Sequence, residues 1–232
     1  MASHDAHLVI GVLTTLPSIP LPLRRSRPPI YTPRLLIRAF EHDDLQALHV
    51  LRTQPEFMAE TRRGCVDRNL DETRSALDDL IGSAHEGYIF GIWVRETGQL
   101  IGDGGIHSMA GKPLGWPEVG YKLGKESRGK GYATELMQAI IKEWWKLPRQ
   151  RVEMKVHGAS IGRADTPENY DKVRDQGELL TANVEISNLG SMRVLEKLGF
   201  EKFGEWDEPD TQLHKLGEPV TLARYKLLRP VD

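Results

Sequence analysis

The sequence predicts a mixed α/β domain, and this prediction rests on two observations. First, three runs rich in β-branched and aromatic residues follow one another between turn residues, which is typical of an antiparallel meander: Tyr88–Val94, Leu100–His107 and Glu118–Leu123. Second, a glycine-rich turn connects the last run to the segment from Ala133 to Trp144, where apolar residues recur at i, i+3, i+4 and i+7. That period is typical of an amphipathic helix, so strands and helices belong to one fold.

The same patterns predict the remaining elements. A strand is expected over Leu35–Ala39, then a helix that begins at Glu41 and a second helix over Asp71–Ala84. Pro148 ends the helix begun at Ala133, and alternation predicts a strand over Arg151–His157. Ala182–Ile186 is expected to resume that strand. Asn188 is then expected to cap a helix that ends at Gly199, and a hairpin of Phe200–Trp206 and Val220–Leu228 completes the sheet.

Length and composition are those of an ordinary globular protein with one domain. The chain has 232 residues, of which 39% are hydrophobic and 28% charged. With 31 basic and 33 acidic residues its net charge is −2, so no basic field points to a nucleic-acid partner. Cys65 is the only cysteine, which excludes an internal disulfide and favours a reducing, cytoplasmic setting. We expect a plain packed or surface cysteine, because no histidine neighbours it in a motif.

Residues 1–30 are expected to form an N-terminal arm and linker, and residues 31–232 the domain itself. Leu8–Leu13 is apolar, but no lysine or arginine precedes it, so the basic region of a signal peptide is missing. It is also much shorter than the about 20 residues of a membrane span. We therefore predict no membrane partner, and an arm that packs on the domain or on a second subunit of a homodimer. Arg24, Arg25 and Arg27 are predicted to lie in a solvated linker.

The loop Arg128–Thr134 is the most informative stretch. It lies between a predicted strand and a predicted helix, so its backbone N–H groups and the helix N-terminus can point at an anionic group. Gly129 and Gly131 let the backbone approach closely, and Arg128 and Lys130 add positive charge. These features predict a cradle for pyrophosphate. A nucleotide-binding P-loop is discounted, because Gly131 stands where a magnesium-binding hydroxyl is needed.

Arg128, Gly131 and Ala133 together resemble the acyl-coenzyme A signature, Q/R-x-x-G-x-G/A, of the GCN5-related N-acetyltransferases (GNAT). Further motifs occur in the order found in the branch of the ribosomal-protein N-terminal acetyltransferases: Thr32–Arg38, Glu118–Tyr121, Gly129–Glu135, Asn188 with Ser191, and Leu195–Phe200. The resemblance extends from about Thr32 to about Leu228. It implies a GNAT fold, with a mixed central sheet of about seven strands and flanking helices.

The resemblance also implies a cofactor, acetyl-CoA, and the residues that bind it. The pyrophosphate is expected on the loop, that is on Arg128, Gly129, Lys130, Gly131, Tyr132, Ala133 and Thr134. Leu123 and its neighbours offer backbone groups that can pair with the pantetheine chain as another strand would. Asn188, at a strand-to-helix junction, can direct its amide at pantetheine, cap the helix, or do both. Tyr121 is expected to form a wall of the cofactor cleft.

Acetyl transfer to an amine needs a base, and Glu118 is the first candidate. Related enzymes often place a carboxylate at the start of this strand, and desolvation would raise its pKa towards the operating pH. His107, on the neighbouring strand, is the second candidate, because imidazole titrates in the right range. Many related enzymes protonate the departing thiolate with a tyrosine seven residues after the asparagine, but that position is Leu195 here. Ser191 is expected to assist the thiolate instead, or to support the helix cap.

Residues 158–181 depart from the family pattern, in which the strand passes almost directly into the helix. This insertion is expected to be either a disordered surface segment or a lid over the acceptor site. The leading hypothesis is an acetyl-CoA-dependent N-acetyltransferase acting by direct attack in a ternary complex. A small-molecule amine is slightly favoured over a peptide N-terminus, because the insertion could close over a compact substrate. The alternative is a non-catalytic acyl-CoA-binding module. No metal is expected, since no residues have metal-ligand spacing.

Overall fold

The computed structural model of the protein describes residues 9–59, 61–82, 87–162 and 173–230. Within these ranges the helices are α1 (Leu45–Arg52), α2 (Pro55–Met58), α3 (Leu70–Gly82), α4 (Tyr132–Lys146) and α5 (Leu189–Lys197). The strands are β1 (Val9–Pro17), β2 (Ile30–Tyr31), β3 (Leu35–Arg38), β4 (Tyr88–Val94), β5 (Leu100–Ser108), β6 (Glu118–Leu123), β7 (Arg149–His157), β8 (Arg174–Asp175), β9 (Leu179–Glu185), β10 (Glu201–Pro209) and β11 (Pro219–Leu228).

Eight of these strands form the main sheet, in the order β10-β11-β9-β6-β5-β4-β3-β2. Neighbouring strands run antiparallel, except β6 and β9, which run parallel. These two strands, both fully described, share a single Cα pair, Glu118 with Thr181, and separate beyond it. The predicted mixed sheet with flanking helices is confirmed. It has one strand more than the resemblance implied.

Helices cover both faces of the main sheet. On one face, α4 buries the apolar stripe that the sequence predicts against β3, β4, β5 and β6: Leu136, Met137, Ile140 and Trp144. On the opposite face, apolar side chains of α1 and α3 pack against Trp93 of β4. We call the first side the α4 face and the second the α1 face. Because successive strand residues point to opposite faces, the two faces determine which side chains can meet where β6 and β9 separate.

The remaining strands form a second sheet, here called the accessory sheet, in the order β7-β1-β8. β1 pairs antiparallel with β7, from Val9 opposite His157 to Pro17 opposite Arg149. The sequence predicted only an arm in this part of the chain, and it predicted that residues 182–186 resume the strand begun at Arg151. That second prediction is wrong, because β7 and β9 belong to different sheets. Alternation identifies a strand but not its partner, and the partner of β7 lies at the far N-terminal end of the chain.

The accessory sheet has its own apolar core, which consists of Val12, Leu114, Trp116, Val156 and Leu179. Trp116 and Leu114 come from the loop between β5 and β6, so the accessory sheet holds that loop in place. The Trp116 Nε1–H donates to Ser160 Oγ at 2.9 Å, and the His157 N–H donates to Leu114 O at 3.0 Å. The N-terminal strand is therefore part of the packed fold.

Two of the three arginines predicted to lie in a solvated linker are buried. Arg24 and Arg27 are only 7% and 5% exposed, whereas Arg25 is exposed. The Arg27 guanidinium lies 4.7 Å from the centre of the Tyr88 ring and donates to Gly87 O at 3.1 Å. Burial lowers its pKa to about 10. The prediction failed because an arginine stem and its flat charged group can pack on aromatic rings, which charge counting does not reveal.

The predicted insertion 158–181 is only partly described. Gly158–Ile161 forms a 3-10 turn, β8 joins the accessory sheet, and Leu179–Thr181 already belongs to β9 of the main sheet. Residues 163–172 lie outside the described residues, and they form the middle of the segment that was expected to be disordered or to act as a lid. Within the described ranges, no helix is long and apolar enough to cross a membrane.

We predict that the N-terminal strand stabilises the whole domain. Val12 is fully buried in the accessory core, whereas Val9 on the same strand is 43% exposed. Val12→Ala removes two buried methyl groups and leaves a cavity, so it should lower the free energy of unfolding by about 2 kcal/mol. Val9→Ala is the matched control and should change it by less than about 0.5 kcal/mol. Denaturant unfolding followed by tryptophan fluorescence measures both. Equal values for the two variants would mean that β1 is not part of the cooperative fold.

Candidate active site

A cleft of about 630 Å³ lies where β6 and β9 separate. Its walls include five of the candidate residues named from the sequence, which are His107, Glu118, Tyr121, Asn188 and Ser191. Leu123 and the loop Arg128–Thr134 are not among its lining residues. They follow it along the chain, where β6 leads into α4.

The backbone of β6 presents hydrogen-bonding groups to this cleft. The Gly124 N–H donates to Ile101 O of β5 at 2.8 Å. Because alternate residues of an antiparallel ladder point in opposite directions, the backbone groups of Val119, Tyr121 and Leu123 point away from β5. The Leu123 carbonyl on this side accepts a hydrogen bond from Arg128 Nε at 3.0 Å. This direction is the one that the predicted pairing with a pantetheine chain requires.

The glycine loop that follows β6 is tied to the segment before β3. Arg34 Nη1 donates to Lys130 O at 2.8 Å, and Arg34 Nε contacts Glu135 Oε2 at 2.6 Å. Thr32 Oγ1 donates to the same carboxylate at 2.6 Å. These bonds hold the pKa of Glu135 below its usual value despite partial burial, which acts in the opposite direction. The carboxylate in the first turn of α4 is thus neutralised by Arg34.

Two glycines give the loop its shape. Gly129 and Gly131 have φ values of 74° and 81°, in the left-handed region that favours glycine. A Cβ at Gly129 would have no neighbour within 4 Å, and one at Gly131 would meet only the end of the Arg34 side chain, at 3.3 Å. The backbone conformation, and not crowding, therefore requires glycine here. Lys130 is exposed, and Tyr132, Ala133 and Thr134 begin α4, with the Tyr132 ring 4.6 Å from the Arg34 guanidinium.

Arg128 has a structural contact that the sequence did not predict. Its Nε donates to Leu123 O, and its Nη2 donates to Glu56 O at 2.8 Å. The guanidinium therefore ties the start of the loop to the end of β6 and to α2. Its positive charge still lies at the loop, but two of its donors are directed at backbone carbonyls.

Glu118 is enclosed at the closed end of the split between β6 and β9. Its side chain is only 13% exposed. Burial raises its pKa to about 7, against a hydrogen bond from Asn183 and the positive charge of Arg224, which both act to lower it. Gly111 packs so closely that a Cβ there would come within 2.3 Å of Glu118 Oε2. The carboxyl group is therefore largely enclosed by protein, and this enclosure is what moves its pKa towards neutral pH.

His107 is the nearest titratable neighbour of Glu118. Its Nε2 lies 3.6 Å from Glu118 Oε1, and its pKa is lowered by desolvation and by the charge of Lys122. A Cβ on Gly120 would approach His107 Nδ1 to 2.7 Å, so glycine at this position makes room for the imidazole ring. Both candidate bases thus lie side by side, with Glu118 the more enclosed of the two.

Asn188 caps α5, which is one of the two roles that we predicted for it. Its Oδ1 accepts a hydrogen bond from the Ser191 backbone N–H at 3.0 Å. The cap uses the backbone of Ser191 and not its hydroxyl, so the side chain of Ser191 is not needed for it. The Tyr121 hydroxyl donates to Ser191 O at 3.4 Å, which joins β6 to the first turn of α5 across the cleft. Leu195 also lines the cleft and is buried.

The end of the cleft on the α1 face is bridged by the tip of the β10–β11 hairpin. The Leu213 N–H donates to Arg62 O at 2.8 Å, and Gln212 Nε2 donates to Ala59 O at 2.9 Å. Both Gln212 and Arg62 line the cleft. Beneath this bridge lies an ion pair between Lys122 Nζ and Asp103 Oδ1, at 2.5 Å. This end of the cleft is therefore polar and is bordered by the hairpin tip.

Several residues of this site do not follow from the sequence patterns. Asn183 and Arg224 lie in apolar strand runs, and Glu208 lies near the end of β10. A lone polar residue on the buried face of a strand is the signal that could have identified the first two. Their meeting with Glu118 depends on strand order, which that signal does not contain. Within the described ranges no group of three or more histidine, cysteine, aspartate or glutamate residues could hold a metal ion.

Comparison with known proteins agrees with this geometry. A family model described as an acetyltransferase (GNAT) domain matches residues 34–201. The chain is 31% identical over 173 residues to an uncharacterised N-acetyltransferase, p20, of Bacillus licheniformis, a match that spans 72% of this chain and 87% of that protein.

Two solved structures share the fold at low sequence identity. RimL, a ribosomal L7/L12 alpha-N-protein acetyltransferase in complex with coenzyme A, is 15% identical, with a TM-score of 0.59 over 88% of this chain and 100% of that one. A variant of the spermidine N-acetyltransferase SpeG from Vibrio cholerae is 17% identical, with a TM-score of 0.54 over 85% of this chain and 95% of that one. The predicted family is confirmed: the chain belongs to the GNAT family of N-acetyltransferases.

Proposed function

We propose that this protein transfers an acetyl group from acetyl-CoA to a primary amine of a small molecule, by direct attack within a ternary complex. The observation that carries the proposal is the position of Glu118. A largely enclosed carboxyl group, with its pKa raised to about 7, lines the cleft that opens between the two parallel strands. A base with a pKa near the operating pH is what deprotonation of an ammonium group requires.

Acetyl-CoA fits the two halves of the site. The loop Arg128–Thr134 offers backbone N–H groups, two left-handed glycines and the N-terminus of α4 to a pyrophosphate. The cleft-facing backbone of β6 offers partners for the amides of a pantetheine chain, and so does the side-chain N–H₂ of Asn188, whose Oδ1 serves the helix cap. When bound, the cofactor supplies the acetyl group as a thioester.

The residues of the cleft then divide the proton transfers between them. Glu118 accepts the proton of the acceptor amine, directly or through one water, and His107 is the second candidate for this role. Ser191 hydrogen-bonds the leaving sulfur or orients a water that protonates it. Tyr121 holds β6 against α5 and so keeps Ser191 facing the cleft. No metal takes part in this scheme.

A small-molecule acceptor is favoured by the position of the hairpin tip. The tip, tied to Ala59 and Arg62, borders the cleft on the α1 face, and we infer that it limits the space there to a compact amine. The resemblance to RimL, whose structure is that of a protein acetyltransferase, favours the second candidate, acetylation of a protein N-terminus. A non-catalytic acyl-CoA-binding module is the third, and the presence of Glu118 argues against it.

One assay separates these functions. Thiol release from acetyl-CoA is measured with polyamines, amino acids and amino sugars, and in parallel with short peptides that bear a free N-terminus. Release with one class of small amine supports the proposal, whereas release with peptides alone would assign the protein to N-terminal acetylation. Tight coenzyme A binding without release for any acceptor would favour the binding module.

We predict that Gly131→Asp abolishes most coenzyme A binding. The substitution forces a residue with a Cβ to adopt a φ of 81°, and it adds a negative charge where phosphate is expected. Affinity for coenzyme A, measured by calorimetry, should fall at least about tenfold. Gly98→Asp is the matched control, because Gly98 has a φ of 68° and open space around it in the turn between β4 and β5. Similar affinities for the two variants would remove the pyrophosphate site from the loop.

We predict that Glu118→Gln lowers kcat about 10²–10⁴-fold while coenzyme A affinity stays unchanged. In the native enzyme, kcat/KM should rise with pH through about 7, because Glu118 acts as a base only when it is ionised and its pKa is raised to about 7. This limb of the pH profile should be absent from the variant. Native turnover in Glu118→Gln at neutral pH would transfer the role of base to His107, and His107→Gln is then the next variant to measure.

We predict that Ser191→Ala lowers kcat without lowering stability. The helix cap needs only the backbone N–H of residue 191, which alanine retains. Asn188→Ala, by contrast, removes the cap and should cost about 1 kcal/mol of unfolding free energy. Thermal unfolding and turnover are measured on both variants. Unchanged kcat in Ser191→Ala would mean that the thiolate leaves without help from this hydroxyl.

A further inference from the structure

We propose that Asn183, Arg224 and Glu208 form a polar row that orients the Glu118 carboxylate and sets the pH at which it becomes a base. These are positioning residues, and their catalytic meaning rests on the proposed role of Glu118. Each lies on a different strand, so the row crosses the main sheet from β9 through β11 to β10.

Strand register brings the row to Glu118. The Cα pair of β6 and β9 joins Glu118 to Thr181, and Asn183 lies two residues further along β9 on the same face. The neighbours of Asn183, Ala182 and Val184, are buried on the α4 face, so the Asn183 side chain lies on the α1 face. Its amide donates a hydrogen bond to Glu118. Its Oδ1 is buried and has no hydrogen-bond partner within the described part of the chain.

The next member of the row is directly opposite Asn183. Arg224 of β11 is its register partner, and Ala223 and Tyr225 on either side are buried on the α4 face. Arg224 is only 2% exposed and lies 4.4 Å from the centre of the Trp206 ring. It forms an ion pair with Glu208 of β10, which lines the same cleft as Glu118. The buried charge of Arg224 is thus paired with Glu208 and also acts on Glu118.

This arrangement acts on Glu118 in two opposite directions. Asn183 and Arg224 favour its ionised form, the first by a hydrogen bond and the second by its charge. Glu208 offsets the charge of Arg224 and is itself negative, so it favours the protonated form. A buried ion pair of this kind adds little to stability compared with an apolar pair. Its position beside the base gives it a second role, which is to balance the ionisation of Glu118.

Other charged groups line the same cleft. His107 of β5 contacts Glu118, and the other charged lining residues outside the row are Arg62, Asp103, Lys112, Lys122, Glu185 and Asp210. None of them belongs to the row, and all remain unchanged in the variants below. A change in the titration of Glu118 can therefore be traced to the row.

The test measures Glu118 directly, independently of catalysis. The full-length protein is labelled with ¹³C at the glutamate carboxyl group, Glu118→Gln identifies the resonance, and its titration is followed by NMR. Asn183→Leu should raise the pKa of Glu118 by about one pH unit, and Glu208→Gln should lower it by a similar amount. The acid limb of the kcat/KM profile should move to higher pH in Asn183→Leu and to lower pH in Glu208→Gln. Arg224→Lys, which keeps the charge, should give a much smaller shift.

The controls separate the possible failures. Glu205→Gln removes an exposed carboxylate from the same strand, β10, and should leave the titration unchanged. If Glu208→Gln does not fold, the double variant Arg224→Met/Glu208→Leu removes both charges, and its Glu118 should titrate near the native pH. Shifts below about 0.2 pH unit, or in one common direction for Asn183→Leu and Glu208→Gln, would overturn the proposal. NMR shifts without a matching change in the pH profile would instead contradict the role of Glu118 as the base.

Discussion

The separation of β6 from β9 is the constraint on which the rest of the structure depends. The two parallel strands share only the pair Glu118 and Thr181, and the sheet opens from that point. Opening a sheet leaves backbone donors and acceptors without strand partners, which is costly unless other groups meet them. Here Arg128 meets one such group, the Leu123 carbonyl, and the direction of the others suits an extended ligand. The split thus creates the cleft and, at its closed end, buries the carboxyl group of Glu118.

The accessory sheet supports this site from behind. Its core includes Leu114 and Trp116, which belong to the loop between β5 and β6. The same loop carries Gly111, which packs directly on Glu118. A continuous set of contacts therefore runs from the N-terminal strand through β7 and the loop to the proposed base. The partial burial of Glu118 raises its pKa, and the loop that packs on it is held by strands that lie before and after it in the sequence.

Two further ties fix the geometry of the site, one beside the glycine loop and one beside the cleft. The ion pair of Arg34 with Glu135 joins the segment before β3 to the first turn of α4, next to the glycine loop. Beside the cleft, the β10–β11 hairpin tip binds the backbone of residues 59 and 62. Both ties connect parts of the chain that are separated by about a hundred residues or more. A phosphate-binding loop, by contrast, is a local motif formed by consecutive residues. They make the site a property of the folded chain and not of any one segment.

The sequence alone determined the family, most helices and strands, and the residues on local motifs. The glycine turn before α4, the Asn188 cap and the amphipathic stripe of α4 are encoded within one or two turns of chain, where spacing and side-chain type are sufficient. The candidates Glu118, Tyr121, Asn188 and Ser191 could be named because their local motifs resemble those of the family, and they line one cleft.

Only the tertiary structure decided which strands pair. It made β1 and β7 partners, placed β9 beside β6, and set Asn183 and Arg224 next to Glu118. The alternation of apolar and polar residues along a strand indicates which of its faces is buried. It does not indicate the neighbouring strand, because every backbone offers the same hydrogen-bond donors and acceptors. The burial of Arg24 and Arg27 escaped prediction for a related reason. Whether a charged side chain is solvated depends on the rings and carbonyls around it, and those come from distant parts of the chain.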